Sequence, residues 1–409
     1  MKPAALLTAF LSLALLSPAW GRSLPELEKE LMSNNLQLQA LKASERAQQS
    51  LATAARGSFF PSISLNGGYG DENTFTDVHQ GYLGSISGTW NLYKGGRDWA
   101  LQKAASSQAE WAALEREQKA RVLQRELREI YYTLLAHKKQ LLLLEEKERL
   151  LKQQRQMAQK KINAGLTSAV DGLEIDLEEN NILSETETLR TDIQRLQADL
   201  TRLINSTVDE KTISAQENFD TRTADINIEK GLQKNPAVLK QKLQEEISLQ
   251  RLEQNRSAFL PQVNVEASYG RLTPQYGSPW DGNESKLFVV LSWNLFSGAS
   301  DYYSTKAASQ DAEAQGLLKK NALREVQTEA ENLLSSRTNI LRRKEFLQQR
   351  LRFASSYYDM TLAEYKRGIK NSADLNVATS SLYESKRKVI ELDRDLSIIN
   401  AKINELIQE

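Results

Sequence analysis

Two hydrophobic periods take turns along this chain. In one pair of segments apolar and polar residues alternate: Ile63, Leu65 and Tyr69 against Ser62, Ser64 and Asn66, then Ile86, Trp90 and Leu92 against Ser85, Ser87, Thr89 and Asn91. A second pair repeats the pattern, with Val263, Val265, Ala267 and Tyr269 against Asn264, Glu266 and Ser268, then Leu287, Val289, Leu291, Trp293 and Leu295 against Ser292 and Asn294. A period of two over about ten residues predicts strands. Pro61 and Pro261 stand where each pair opens, a position that tolerates the missing N–H. Each pair reads as a hairpin, over 58–93 and 258–296, with polar loops near Asp71 to Gln80 and Arg271 to Ser285. Elsewhere the spacing is heptad-like: Leu24, Leu27, Leu31, Leu38 and Leu41; Leu127, Ile130, Leu134, Leu141, Leu144 and Leu151; Leu189, Ile193, Leu196, Leu200 and Leu203. Such steps of three, four and seven predict helices with a narrow coiled-coil seam and wide polar faces.

The chain also matches itself. Ser58-Phe59-Phe60-Pro61 recurs as Ala258-Phe259-Leu260-Pro261, an offset of 200 at the proline. Trp90-Asn91-Leu92-Tyr93 recurs as Trp293-Asn294-Leu295-Phe296, and Gly165 with Asp171 recurs as Gly368 with Asp374, an offset of 203. Two tandem copies follow, 22–205 and 226–409, joined by a linker over 206–225. Within them 97–163 and 299–365 run 67 residues without proline, about 100 Å of helix each at about 1.5 Å per residue. The segments 24–57, 168–204, 226–257 and 374–409 are about half as long, so two of them stacked end to end would match one long helix, in a body on the order of 100 Å tall. Helix–helix turns are expected at 163–168 and 366–373.

Composition narrows the class. Nineteen glycines and eight prolines in 409 residues is about half the average usage, as long uninterrupted elements require. Fifty-three Lys and Arg balance fifty-three Asp and Glu, which leaves no basic footprint for nucleic acid. The absence of cysteine excludes disulfides, thiolate metal sites, cysteine nucleophiles and a lipidated N-terminal cysteine. A mean hydropathy of -0.52 does not fit several helical spans of about 20 apolar residues each. The N-terminus is the exception: Lys2, the apolar stretch Ala4 to Leu16 and Ala19-Trp20-Gly21 read as a cleaved signal peptide over 1–21, and an uncleaved anchor is the competing reading.

Four strands cannot close a membrane barrel, for which about eight is the smallest count, and an open sheet edge cannot face lipid. Strands that span a membrane would therefore need partner chains, eight in a dimer or twelve in a trimer. Alternation alone leaves both open.

The doubled Phe-Phe-Pro or Phe-Leu-Pro opening, the doubled Trp-Asn-Leu-aromatic close and the doubled Gly-x5-Asp turn resemble the TolC-like outer-membrane efflux family, over about 22–409. The resemblance implies a mainly α fold with a small β part: a homotrimer whose twelve-stranded outer-membrane β-barrel continues into a periplasmic α-helical tunnel. It implies an exit duct for tripartite efflux or type I secretion, docked by a periplasmic adaptor (membrane fusion) protein and served by an inner-membrane RND or ABC transporter. It places the docking tip at Gly165, Leu166, Thr167, Ser168, Gly368, Ile369, Asn371 and Ser372, and the gate at Asp171, Tyr365, Lys370 and Asp374. Tyr365 and Lys370 would meet the first copy around Val170 and Asp171, and Asp374 would form an acidic ring in the lumen. A second acidic position three residues on is Val377 here.

The same residues have a local reading. Ser168 with Asp171, and Asn371 with Asp374, are spaced as capping boxes. Gly165 and Gly368 suit left-handed helix ends, and Lys160, Lys161, Lys366 and Arg367 complement a C-terminal dipole. The aromatics near the strand ends, Tyr69, Trp90, Tyr93, Tyr269, Trp293 and Phe296, form either a membrane-interface girdle or packing against the helices; Trp99 and Trp111 are expected to pack among helices. His79, in a hairpin loop, and His137, in a coiled-coil slot, lack metal-ligand company. No phosphate loop, nucleophile elbow or His/Cys constellation points to an enzyme, a cofactor or a metal. The alternative to a duct is a soluble periplasmic coiled-coil scaffold or adaptor.

Overall fold

Local signals account for most of the element boundaries. The computed structural model describes residues 22–73, 78–165, 168–209, 213–222, 228–274 and 282–407; the expected signal peptide, 1–21, lies outside them. The first half forms α1 (Leu24–Asn34), α2 (Leu36–Ala55), β1 (Ser62–Asn73), β2 (Val78–Lys94), α3 (Arg97–Asn163) and α4 (Val170–Ile204). The second repeats the order with α5 (Ile228–Lys234), α6 (Pro236–Arg256), β3 (Gln262–Pro274), β4 (Gly282–Ser292), α7 (Ser300–Lys366) and α8 (Ser372–Ile407). The fold is mainly helical, with duplicated halves and a four-stranded sheet in each chain. Helices α3 and α7 each run 67 residues.

Two of the half-length segments are not single helices. Asn35 separates α1 from α2 and Asn235 separates α5 from α6, both with extended backbone. Asn35 Oδ1 accepts from the Gln37 and Leu38 N–H groups at 2.9 and 3.1 Å, and Asn235 Oδ1 from that of Ala237 at 2.9 Å. An asparagine that caps a new helix must leave helical φ/ψ, and Pro236 at the next position enforces the same at Asn235.

The strands form one antiparallel sheet in the order β1-β2-β3-β4. Pairing reaches Asn73↔Val78 and Leu272↔Gly282, so the polar hairpin tips are shorter than the alternation suggested. His79, expected in a loop, pairs opposite Glu72 inside the β1–β2 ladder. The second hairpin is shorter at its other end: β4 stops at Ser292, opposite Gln262, and Trp293 to Phe296 fall outside the strand. Beyond Gln262 lies Pro261, which offers no N–H, and β4 has a neighbour on one side only. In contrast β2 continues to Lys94 against β3, with a bulge at Leu92 between Asn91 and Tyr93. The extra residue puts Tyr93, opposite Val263, on the same face as Trp90, opposite Val265.

The chain divides into two compact units. One comprises 35–125, 222–339 and 399–409, and holds the sheet. Its helical core gathers Ala330, Ile403 and Ile407 with Leu333, Leu334, Ile399 and Leu406. Gly231 lies so close that a Cβ there would stand 1.9 Å from Ile407 Cγ2. Ion pairs brace the helices, Arg116–Glu45 at 2.7 Å and Arg125–Glu405 at 2.5 Å among them. The other unit comprises 22–34, 126–221 and 340–398. There Leu27, Leu31, Leu127, Leu134 and Leu135 are fully buried, and Leu144, Leu151, Ile182 and Leu189 form the seam between α3 and α4. Residues of the linker dock on α3: Lys138 Nζ donates to Ile213 O at 2.8 Å, Lys139 Nζ to Ala215 O at 2.9 Å, and the Tyr131 hydroxyl to Glu217. Burial lowers the pKa of Lys139, and burial with Glu217 beside it raises that of Tyr131.

Candidate functional site: the two tip turns

Both turns lie in the second unit and are built alike. In α3 the Gly165 N–H bonds Ile162 O at 3.0 Å, with φ +71° at the glycine. In α7 the Gly368 N–H bonds Tyr365 O at 3.1 Å and the Ile369 N–H bonds Glu364 O at 3.0 Å, with φ +79° at Gly368. The α7 end is a complete Schellman motif, which needs a residue without Cβ at the left-handed position. The helices that follow begin differently. Asn371 Oδ1 accepts from the Asp374 N–H at 2.8 Å, a strong cap for α8. Ser168 Oγ accepts from the Val170 N–H at 3.3 Å, and Ala169, the residue before α4, already has helical backbone without a side-chain cap.

The sequence-derived gate residues separate into two groups. Lys370 Nζ is 3.7 Å from Asp374 Oδ2 within its own turn, a half-exposed pair that contributes under about 1 kcal/mol. Tyr365 is 1% exposed, and the Ser372 hydroxyl donates to its phenol oxygen at 3.3 Å. Within the chain Tyr365 meets the first copy at Lys161, whose Nζ donates to Tyr365 O at 2.5 Å and lies 3.7 Å from the centre of its ring. Asp171 sits in the first turn of α4, and Ile369 is exposed at the apex of the second turn. Leu166 and Thr167 lie outside the described residues.

Behind the second turn Tyr358, Tyr365, Leu375, Ala378, Leu382 and Tyr383 form a buried cluster, against which Leu143, Leu150 and Met157 of α3 pack. Gln154 of α3 crosses to Thr379 of α8, Nε2 to Oγ1 at 3.2 Å. Burial, with Glu146 next to it, raises the pKa of Tyr383, and burial raises that of Tyr358, so both stay neutral hydroxyls. Heptad spacing gave no sign of Lys161 and Gln154 as cross-links. Lys161 had a dipole reading, and the helix end it serves is that of α7 as well as its own.

Residues 27–206 and 227–407 match the family described as Outer membrane efflux protein. The chain belongs to the outer membrane efflux protein family. This efflux protein is 24% identical to the outer membrane protein TolC of Vibrio cholerae serotype O1, over 94% of its own length and 91% of that protein. Its fold is similar to the outer membrane protein VceC of Vibrio cholerae, with a TM-score of 0.83 and 14% identity over 94% of this chain and 95% of that one. It is also similar to the open state of the MtrE outer membrane channel of Neisseria gonorrhoeae, with a TM-score of 0.82 and 14% identity over 94% and 88%. It is thus an outer-membrane efflux channel, a transport protein rather than an enzyme, and membership of this family implies a trimer. The unpaired outer edges of β1 and β4 are the positions at which neighbouring sheets would join to close a barrel.

The strand-end aromatics of the efflux protein, Tyr69, Trp90, Tyr93, Tyr269, Trp293 and Phe296, are all exposed in the protomer. Both tryptophans use their N–H in the same way: Trp90 Nε1 donates to Phe59 O at 2.9 Å and Trp293 Nε1 to Phe259 O at 3.1 Å. Each indole thereby ties a strand end to the short 3-10 turn ahead of its hairpin, Arg56–Phe59 or Ser257–Phe259, and keeps its apolar body exposed. Trp99, expected to pack among helices, is 70% exposed, with its ring centre 4.9 Å from that of Phe59. It follows Gly95 and Gly96, where the strand turns into α3, and its neighbour Ala100 takes the buried side of the first helical turn. Trp111 lies under the Lys240 ammonium, 4.4 Å from its ring centre. Among the described residues no helix is long and apolar enough to cross a membrane, and no His/Cys/Asp/Glu group could hold a metal ion.

Proposed function

We propose that the protein is the passive exit duct of a tripartite efflux or type I secretion assembly, closed at its periplasmic tip and opened when a periplasmic adaptor docks there. Gly165, Leu166, Thr167, Ser168, Gly368, Ile369, Asn371 and Ser372 form the docking tip. Cargo arrives from an inner-membrane RND or ABC transporter. Tyr365, Lys370, Asp171 and Asp374 form the gate, with Asp374 as an acidic ring in the homotrimer and Tyr69, Trp90, Tyr93, Tyr269, Trp293 and Phe296 as the membrane-interface aromatics. The observation that carries this reading is the pair of left-handed glycine turns at Gly165 and Gly368, beside which Tyr365 is held at its hydroxyl and Lys370 at Asp374. Tyr365→Phe with Lys370→Ser removes both polar contacts and is expected to raise the closed-state single-channel conductance in planar bilayers. An unchanged conductance would overturn the gate assignment.

A further inference from the structure

We infer that Lys161 fastens the two tip hairpins of one protomer to each other and is a positioning residue for the gate, an inference that rests on the gate reading above. Its ammonium makes two contacts with a single residue of the other copy. The first, 2.5 Å to Tyr365 O, takes the remaining acceptor site of a carbonyl that already bonds the Gly368 N–H at 3.1 Å. That carbonyl belongs to the Schellman end of α7, so Lys161 holds the turn geometry itself. The second is the 3.7 Å approach to the ring centre, where a cation is attracted by the negative face of the π-system. A positive charge at the C-terminus of α7 adds a favourable dipole interaction. The Ser372 hydroxyl holds the far end of the same ring. Tyr365 is thus gripped at its carbonyl, its ring face and its hydroxyl, and the last turn of α7 cannot rotate or slide along α3 without releasing Lys161.

The grip is not duplicated. At the offset of 203 the position of Lys161 is occupied by Glu364 and that of Tyr365 by Ile162, so the two copies exchange neither the cation nor the ring. Each protomer therefore carries one such fastening, directed from the first copy to the second.

The test uses the full-length trimer in planar bilayers and exploits the absence of native cysteine. Lys161→Met is expected to raise open-state occupancy about five- to tenfold, the order expected from losing one cation–π contact and one charged hydrogen bond. Lys161→Arg, which keeps a cation able to stack and donate, should return it to the parent value. In Lys161→Cys the leak should match that of Lys161→Met, and aminoethylation of the thiol with 2-bromoethylamine, which rebuilds a lysine-like side chain on the same folded protein, should close it again. Closure that fails to return after aminoethylation, or a Lys161→Met channel as tight as the parent while Tyr365→Phe with Lys370→Ser leaks, overturns the role of Lys161 and leaves the gate reading standing. If the double variant does not leak either, the gate reading fails, and the inference with it.

Discussion

The two tip turns share one plan and differ in what surrounds them. Both end a 67-residue helix on a left-handed glycine, and both carry a short polar residue, Ser168 or Asn371, three residues before an aspartate in the first turn of the next helix. Past the first turn, Val170, Leu173 and Leu177 are exposed along α4. Past the second, Ser372, Leu375, Ala378 and Thr379 are buried along α8. The copies agree where Ile175 and Ala378 are both buried, and again farther along at Ile182 with Ser385 and Leu189 with Leu392. They part at the position held by Gly172 in the first and Leu375 in the second. The cause is the neighbour: α8 packs on α3 as well as α7, so its first turns carry a second apolar row inward. Duplication copied the turn chemistry, and packing assigned the two turns different environments.

The largest effect that would test this contrast is on stability. Leu375 is 1% exposed and Leu173 is 62% exposed, so Leu375→Ala should destabilise by about 2–5 kcal/mol and Leu173→Ala by under about 1 kcal/mol. Thermal unfolding of the two purified variants checks it, and equal losses would mean that the hairpins are buried alike in the assembled protein. A smaller effect separates the caps. Asn371→Ala should cost about 1 kcal/mol, because its 2.8 Å bond serves the Asp374 N–H, and Ser168→Ala less, because its contact is 3.3 Å. Amide hydrogen exchange at the first turns of α4 and α8 would read the difference, and equal deprotection would remove the distinction. The smallest expected effect on stability comes from Asp374→Asn, within about 0.5 kcal/mol, since its pair with Lys370 is half exposed. It should nonetheless weaken block by multivalent cations in bilayers; block equal to the parent would show that the carboxylate serves the helix end and does not line the lumen.

Much of the fold was legible in the sequence. Period-two alternation located all four strands, and the proline-free runs 97–163 and 299–365 located the two long helices to within a residue. The cap at Asn371 follows from residue type and spacing, whereas Ser168, spaced in the same way from Asp171, bonds the Val170 N–H instead. The breaks at Asn35 and Asn235 were present as a repeated asparagine before a helix, but the apolar spacing continues across them and concealed the interruption. The candidate site was less legible. Tyr365 and Lys370 could be named, yet Lys370 finds its partner inside its own turn and Tyr365 finds one in Lys161, a residue that local rules read as a dipole complement.

What the sequence determined by itself is the local order: which segments are helix or strand, and that the unit occurs twice. These depend on residues within a few positions of one another, through hydrogen-bond geometry, glycine conformation and hydrophobic period. Only the tertiary structure decided the bulge that brings Tyr93 beside Trp90, the early end of β4, the burial of Leu375 and the attachment of Lys161 to Tyr365. Each of these depends on which surface of a distant segment arrives opposite, and a long helix with a narrow seam and wide polar faces offers several nearly equivalent surfaces, among which only packing selects.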